Sequence, residues 1–182
     1  MAISEFLTIM RPLNCLMATA GTFIGYSIAA EMLQFNFAVA IAMCVAFLVC
    51  GGGIVINDYF DRRVDARLHP NKPIPSGRIT ARAALYYALV LFFAGNALAF
   101  CYLTAMAFVI AFAFTVLFIL YSSVLTRAKY IGNFVVASGT AFTLLFGASL
   151  VGNYYVVGFL AGAALFANAA RELIKDLEDI EA

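Results

Sequence analysis

Charged side chains are scarce in this sequence. Of its 182 residues, 12% are Asp, Glu, Lys or Arg, whereas 65% are hydrophobic, and the mean hydropathy is +0.98. A soluble domain of this size with so few polar residues could not cover its surface. A soluble globular protein is therefore excluded, and we predict an integral membrane protein.

The sequence also lacks the alternation of apolar and polar residues that a membrane β-barrel requires. Its apolar runs are long and continuous, and lipid accepts such segments when their backbone is hydrogen-bonded within helices. Spans of about 20 residues cross the hydrocarbon. We predict an all-α, polytopic transmembrane helical bundle with six spans, at about residues 12–30, 36–57, 80–101, 104–123, 133–151 and 154–174.

Cysteine and histidine are few. The four cysteines lie within the apolar spans without metal-ligand spacing or a disulfide context, and we interpret them as small core residues. The one histidine, His69, lies in a polar connection, which favours a surface or turn role over a metal or proton site. Thiol and imidazole chemistry are therefore not indicated.

Basic residues are confined to one side of the predicted topology. Six spans place all 11 Lys and Arg residues at the same membrane face, together with nine of the 10 acidic residues. Lys and Arg near helix ends favour the cytoplasmic side. We therefore predict a multi-pass cell-membrane protein whose two termini and polar site face the cytoplasm.

The densest group of carboxylates, in NDYFDRRVD at residues 57–65, follows the apolar stretch 37–56. On a helix, Asp58, Asp61 and Asp65 fall at positions i, i+3 and i+7 and share one face. The three carboxylates would repel one another unless a cation lay between them. A second cluster ends the sequence, where Asp176 and Asp179 repeat the first spacing.

The second cluster stops early. The first cluster has its third aspartate four residues after its second, and that position would follow Ala182. We therefore expect the chain to be truncated.

The connection from Tyr59 to Ile79 contains HPNKPIPSGR, with three of the four prolines. Proline favours a bent, extended connection between short helical ends. Such a connection can fold over a polar site as a lid, although a plain stiff connector is the alternative. Ser76 or Thr80 is expected to cap the third span.

Together the clusters predict a site for a metal and a diphosphate that opens from the cytoplasmic face into the bundle. Mg²⁺ prefers oxygen ligands and is commonly held by a few carboxylates and substrate phosphates. Basic side chains can bind the remaining phosphate oxygens. A solvated, self-paired helix end is the alternative. The candidate cations are Arg62, Arg63, Lys72, Arg78, Arg127 and Lys129.

Two asparagines and a run of glycines are expected inside the bundle. A lipid-facing amide is costly, so we place Asn14 and Asn57 inside, with Asn57 orienting a metal ligand or water. Gly51-Gly52-Gly53 would let a neighbouring helix or the substrate approach closely, or would kink the second span.

These motifs resemble those of the UbiA superfamily of intramembrane prenyltransferases. The signature NDxxDxxxD is present at residues 57–65, and PIPSGR at 73–78 is similar to the family's RPLPSGRI segment, with Lys72 in place of the usual Arg. Arg11-Pro12-Leu13-Asn14 resembles its RPxN element, and the stretch from 121 to 133 resembles its Tyr, basic, Gly-Asn stretch. The ending RELIKDLEDIEA is most similar to the archaeal branch that makes digeranylgeranylglyceryl phosphate.

The resemblance implies a Mg²⁺-dependent prenyltransferase in which the five aspartates, Asp58, Asp61, Asp65, Asp176 and Asp179, are catalytic metal ligands. It implies a prenyl diphosphate donor, geranylgeranyl in the archaeal branch, and geranylgeranylglyceryl phosphate as acceptor. An aromatic acceptor such as 4-hydroxybenzoate is the alternative. Arg78, Arg127 and Lys129 are the candidates for the acceptor phosphate. The predicted substrate-binding residues are Asn14, Asn57, Arg62, Lys72, Arg78, Arg127 and Lys129.

The family usually has nine transmembrane helices. The resemblance therefore implies that residues 1–182 are one domain, incomplete at its C-terminus, with about six of the nine spans.

Two other classes of membrane protein fit these residues less well. CDP-alcohol phosphotransferases need a DG pair, whereas Asp58 is followed by Tyr59. A cation transporter would place its carboxylates near the bilayer midplane, whereas these lie at span ends. Metal-dependent binding of a diphosphate would separate a prenyltransferase from a cation transporter. Membrane lipid is an expected partner, and nucleic acid is not.

Overall fold

The computed structural model describes the backbone of residues 3–124 and 129–181, and the side chains of residues 4–124, 137–171, 173 and 174. This described part is all-helical, which confirms the predicted fold class. Its seven helices are α1 Ile3–Met10, α2 Pro12–Ala29, α3 Phe37–Leu68, α4 Ala81–Tyr102, α5 Ala105–Ser123, α6 Lys129–Ala148 and α7 Tyr155–Glu181.

The six predicted spans correspond to α2 through α7. Among the described residues, α3, α4 and α5 are long and apolar enough to cross a bilayer by themselves, and α6 and α7 contain the shorter apolar stretches Ala137–Ala148 and Tyr155–Arg171. The chain is a multi-pass membrane protein with a helical core.

Polar caps fix where three of the helices begin. In each case a side-chain oxygen accepts a hydrogen bond from the backbone N–H three residues further on, which satisfies a group that the helix itself leaves unpaired. The caps are Asn36 for α3, Thr80 for α4 and Thr104 for α5. Of the two residues proposed to cap the third span, Thr80 is the one that does so.

Helix α3 is the central element and is longer than the bilayer requires. Its 32 residues extend over about 48 Å, against about 30 Å for the hydrocarbon. The helix continues to Leu68, so the prediction that a bent connection begins at Tyr59 was wrong. The excess length places the aspartates on a continuous helix beyond the apolar stretch, and the connection itself comprises residues 69–80.

The glycine run in α3 permits close packing on three sides. A Cβ atom added to Gly51 would lie 2.6 Å from Met10 of α1. At Gly52 it would lie 2.8 Å from Phe92 of α4, and at Gly53 it would lie 2.9 Å from Phe118 of α5. The predicted close approach is confirmed, and α3 passes through this region as one unbroken helix.

A second close approach joins α2 to α6. A Cβ atom at Gly25 would clash with the backbone of Leu144, and one at Gly147 would clash with the backbone of Thr22. The two helices therefore meet backbone to backbone, as small residues allow in membrane bundles. Other residues of the same two helices line part of the cavity described below.

Helix α1 was not predicted. Ile9 and Met10 are buried against the bundle, and the Phe6 ring packs edge-on against Tyr87 of α4, with 5.1 Å between centroids. These contacts fix the end of α1, and with it the position of Arg11, which follows directly.

Candidate active site

Two of the three aspartates on α3 are buried at its polar end. Asp58 and Asp65 are 4% and 5% exposed, and Asp61 between them is half-buried. Unpaired carboxylates are rarely buried this far, because removing the charge from water is costly. The structure therefore has to supply cations to this face.

Lys72 supplies the first of these cations. Its Nζ atom lies 2.8 Å from Asp65 Oδ2 and 3.3 Å from Asp58 Oδ1, so one ammonium group bridges two carboxylates. The connection that carries Lys72 is folded onto the helices, since Ile79 is buried and its N–H donates to the Pro73 carbonyl. The expectation that a cation lies between the aspartates is thus met by the chain itself.

Arg11 supplies the second cation. Its Nη2 atom donates to Asp58 Oδ1 at 2.9 Å. Arg11 lies between α1 and α2 with φ 51° and ψ 70°, in the left-handed region that few non-glycine residues adopt. Arg11 was not among the predicted site residues, although it begins the Arg11-Pro12-Leu13-Asn14 segment that resembles the family's RPxN element.

Asp61 is held by a neighbour on its own helix. Asn57 Nδ2 donates to Asp61 Oδ2 at 2.9 Å, and Asn57 Oδ1 accepts a bond of 3.4 Å from Ser122 Oγ of α5. Asp61 lies beyond the apolar stretch 37–56. Its pKa is raised, first by burial and then by the nearby Asp65 carboxylate, although the Asn57 hydrogen bond opposes this shift. Ser122, a buried residue, is a further site contact that sequence analysis missed.

Two predicted substrate-binding cations are engaged elsewhere. The Arg62 guanidinium lies 4.5 Å above the Tyr59 ring and donates to the Tyr59 carbonyl at 2.6 Å. Arg78 donates to the Asn71 carbonyl at 2.6 Å and pairs with Glu5 of α1 at 3.0 Å. Arg78 therefore ties the connection to α1, and a role in substrate binding stays a prediction for both arginines.

Four predicted site residues lie outside the side chains that are described. Arg127 falls between α5 and α6, and Lys129 is the first residue of α6. Asp176 and Asp179 lie in the last part of α7. Their roles as metal or phosphate ligands stay predictions.

An open cavity of about 580 Å³ adjoins the aspartate face. Arg11, which pairs with Asp58, and Asn57, which pairs with Asp61, both line it. The predicted residue Asn14 lines it as well, as an exposed residue, and its role in substrate binding stays a prediction. A further arginine, Arg171 of α7, also lines it, and near it the Asn168 amide donates to Thr140 Oγ1 at 3.2 Å.

The rest of the lining is mainly apolar and comes from α2, α3, α5 and α6. Ligand sites commonly combine such apolar walls with a few placed polar groups. The volume and composition suit an amphiphile with a charged head and a hydrocarbon chain. The principal apolar residues are Met17, Val45, Val49, Ile54, Ile110, Phe114, Phe118, Phe142 and Phe146.

The donor set fits a hard divalent cation. Asp58 and Asp65 both contact the ammonium group of Lys72. Asp61 lies on the same face and accepts a hydrogen bond from the Asn57 amide. Carboxylate oxygens are the ligands that Mg²⁺ prefers. In the described part of the chain, no three acidic, histidine or cysteine side chains are grouped closely enough to form a complete metal site.

The sequence matches a known protein family over most of its length. Residues 18–182 match the model of the UbiA prenyltransferase family. The chain belongs to this family. Digeranylgeranylglyceryl phosphate synthase of Pyrococcus furiosus is 39% identical over 181 residues, covering 100% of this chain and 65% of that protein. The synthase of the same name from Thermococcus kodakarensis is 40% identical with the same coverage.

Solved UbiA structures have the same fold. A digeranylgeranylglyceryl phosphate synthase structure superposes with a TM-score of 0.89 at 32% identity, covering 98% of this chain and 64% of that one. A UbiA homologue from Archaeoglobus fulgidus bound to DMAPP and Mg²⁺ gives 0.77 at 19% identity, covering 97% and 64%. The chain thus spans about 65% of the length of the curated relatives that it matches.

Proposed function

We propose that this chain carries the site of a Mg²⁺-dependent prenyltransferase. The reaction transfers a geranylgeranyl group from its diphosphate to geranylgeranylglyceryl phosphate, a step of archaeal-type ether lipid synthesis. The observation that carries the proposal is the buried pair of Asp58 and Asp65, which gathers positive charge beside an apolar cavity. The names of the relatives support the acceptor, and a family member that binds DMAPP and Mg²⁺ supports the donor and the metal.

The donor's diphosphate belongs at the aspartate face. Mg²⁺ held by Asp58, Asp61 and Asp65, together with Asp176 and Asp179, would neutralise the diphosphate and make it a better leaving group. Arg11 and Lys72 bring guanidinium and ammonium donors to the same place. These donors can stabilise the charge that develops on the diphosphate as its bond to the prenyl carbon breaks.

The prenyl chain fits the apolar part of the cavity. Phe114, Phe118, Phe142 and Phe146 line it, and aromatic faces attract cations. The allylic carbon that gains positive charge as the diphosphate leaves can therefore be stabilised there.

The acceptor completes the reaction through its hydroxyl group. The hydroxyl oxygen forms a bond to the prenyl carbon, the diphosphate leaves with the bonding electrons, and the hydroxyl proton is released. The acceptor's own phosphate needs a cation. Arg171 lines the cavity and forms no ion pair within the described part of the chain, whereas Arg78 is occupied by Glu5 and the Asn71 carbonyl. We therefore assign the acceptor phosphate to Arg171, beside the earlier candidates Arg127 and Lys129.

The topology forms part of the same proposal. All 11 basic residues fall at one face of a six-span arrangement, which favours a cytoplasmic site with both termini on that side. Reporter fusions at the two ends measure this directly. An external C-terminus would refute the six-span count.

The deciding experiment is transfer from radiolabelled geranylgeranyl diphosphate in membranes that contain this chain, with and without Mg²⁺. The Pyrococcus furiosus relative serves as the positive control, and geranylgeranylglyceryl phosphate is compared with 4-hydroxybenzoate. We expect Mg²⁺-dependent labelling of the glycerol lipid. Labelling of the aromatic acceptor alone would move the chain to another branch of the family. Absence of both prenyl transfer and Mg²⁺-dependent binding of geranylgeranyl diphosphate by this chain, under conditions in which the control shows both, would refute the proposal.

A further inference from the structure

We infer that Lys72 is a tethered counter-cation that exchanges with the metal. Its ammonium group holds Asp58 and Asp65 together until a divalent ion displaces it, and it then binds the phosphate oxygens of the incoming diphosphate. This inference rests on the proposed function, because it takes these carboxylates as Mg²⁺ ligands. It adds that Lys72 has two successive positions, one for each state of the site.

The first position follows from burial and charge. The side chains of Asp58 and Asp65 are only 5% and 7% exposed, and the Lys72 ammonium lies within 3.3 Å of both. Removing the cation from a buried pair leaves uncompensated charge, which is strongly destabilising. The carboxylates therefore stay paired with Lys72 until another cation replaces it.

Lys72 and a metal held by Asp58 and Asp65 would compete for the same carboxylate oxygen atoms. A Mg²⁺ ion bound to carboxylates lies about 2.1 Å from their oxygens. Lys72 now uses Oδ1 of Asp58 and Oδ2 of Asp65, and Arg11 also uses that Oδ1 atom. An ammonium group and a divalent ion cannot both lie between these oxygens, because the two cations would repel each other at contact distance. Binding of one therefore requires that the other leave.

The side chain of Lys72 can move while its backbone stays in place. Its carbonyl accepts from the Ser76 N–H at 3.0 Å, its N–H donates to the His69 carbonyl at 3.1 Å, and Ile79 anchors the connection in the core. The side chain itself is 27% exposed and ends a flexible four-carbon stem. Release from the carboxylates thus leaves a partly exposed ammonium group that can turn toward the phosphate oxygens of a diphosphate.

Chemical labelling of the unaltered chain tests this exchange without a substitution. The amine of Lys72 is acylated by a water-soluble reagent in detergent micelles, and the rate is measured by peptide mass spectrometry relative to the N-terminal amine of Met1. We expect slow labelling without metal, labelling about fivefold or more faster with Mg²⁺, and renewed protection when inorganic pyrophosphate is added with Mg²⁺. A Lys72 rate that Mg²⁺ leaves unchanged would overturn the inference.

Metal binding to variants gives an independent measurement. Mn²⁺ binding, followed by the loss of its free-ion EPR signal, should be about tenfold tighter in Lys72→Gln than in the parent chain. Lys72→Arg retains the cation and should bind Mn²⁺ like the parent. Arg67→Gln is the matched control, since it removes a basic residue from the last turn of α3. Equal or weaker Mn²⁺ binding by Lys72→Gln would contradict the exchange.

These measurements are separate from prenyl transfer. Protection of Lys72 that changes with Mg²⁺ and pyrophosphate would support the exchange even if the chain transfers no prenyl group. A chain that transfers the prenyl group while Lys72 shows no response to Mg²⁺ would overturn the exchange alone.

Discussion

Arg11 and Asp58 are 47 residues apart in the sequence and are joined by an ion pair of 2.9 Å. The pair connects the junction of α1 and α2 to the aspartate face of α3. Arg11 reaches Asp58 from a left-handed backbone conformation, which costs a non-glycine residue of order 1 kcal/mol or more. The site thus combines a favourable charge contact with an unfavourable backbone position.

That combination predicts equal binding but different stability for two substitutions of Arg11. Arg11→Ala removes the guanidinium and keeps the backbone cost, whereas Arg11→Gly removes both. We expect the two variants to lose prenyl diphosphate binding to the same extent, while the glycine variant is more stable by about 1 kcal/mol. Thermal unfolding in detergent and binding of radiolabelled geranylgeranyl diphosphate measure the two quantities. Equal stability of the variants would show that the conformation at Arg11 is not costly.

The second prediction concerns the serine behind the site. Ser122→Ala removes the hydrogen bond that orients Asn57 and, through it, Asp61. We expect the Mg²⁺ concentration that gives half-maximal diphosphate binding to rise about fivefold. This is less than the usual effect of removing a hydrogen-bond partner of a metal ligand, because the Ser122–Asn57 bond is long, at 3.4 Å. Ser123→Ala is the control, since Ser123 donates to the Ile119 carbonyl of its own helix. The same change in both variants would mean that Ser122 does not act through Asn57.

Local sequence pattern predicted much of this face. The i, i+3, i+7 spacing of Asp58, Asp61 and Asp65 placed three carboxylates on one side of a helix, and their repulsion implied a cation. The Gly51-Gly52-Gly53 run indicated a close approach, which the structure confirms. These features depend on helix geometry within one element, and that geometry can be calculated from the order of residues.

The identity of the cations could not be predicted in the same way. Arg62 was closer in sequence to the aspartates than Lys72, yet it stacks on Tyr59, while Arg11 reaches Asp58 from another element. Which basic side chain reaches a carboxylate depends on how the helices and the 69–80 connection pack together. A single sequence contains little information about such contacts.

The third prediction concerns the central aspartate. Asp61→Asn keeps the shape of the side chain and the acceptor for the Asn57 amide but removes a negative charge from the proposed metal site. We expect Mg²⁺-dependent binding of geranylgeranyl diphosphate to weaken about 100-fold, and Asp61→Ala to abolish it, while both variants remain inserted in the membrane. Unchanged binding would remove Asp61 from the metal site. Loss of binding only in the alanine variant would assign the residue a steric role.

The fourth prediction separates the acceptor's phosphate from the rest of the acceptor. Arg171 lines the cavity as an exposed side chain, and a guanidinium can hold a phosphate with two parallel hydrogen bonds. Arg171→Gln should therefore raise the KM for geranylgeranylglyceryl phosphate about tenfold or more. The KM for geranylgeranyl diphosphate should change less than about twofold, because that diphosphate binds at the aspartate face.

The matched substrate is geranylgeranylglycerol, which has the same chain and hydroxyl group without the phosphate. If Arg171 contacts the phosphate, the parent chain and Arg171→Gln should use this alcohol equally well, since neither forms the contact with it. Arg82→Gln controls for loss of a positive charge, because Arg82 does not line the cavity. A fall in activity toward the alcohol as large as the fall toward the phosphate would show that Arg171 supports the structure of the cavity rather than the acceptor's phosphate.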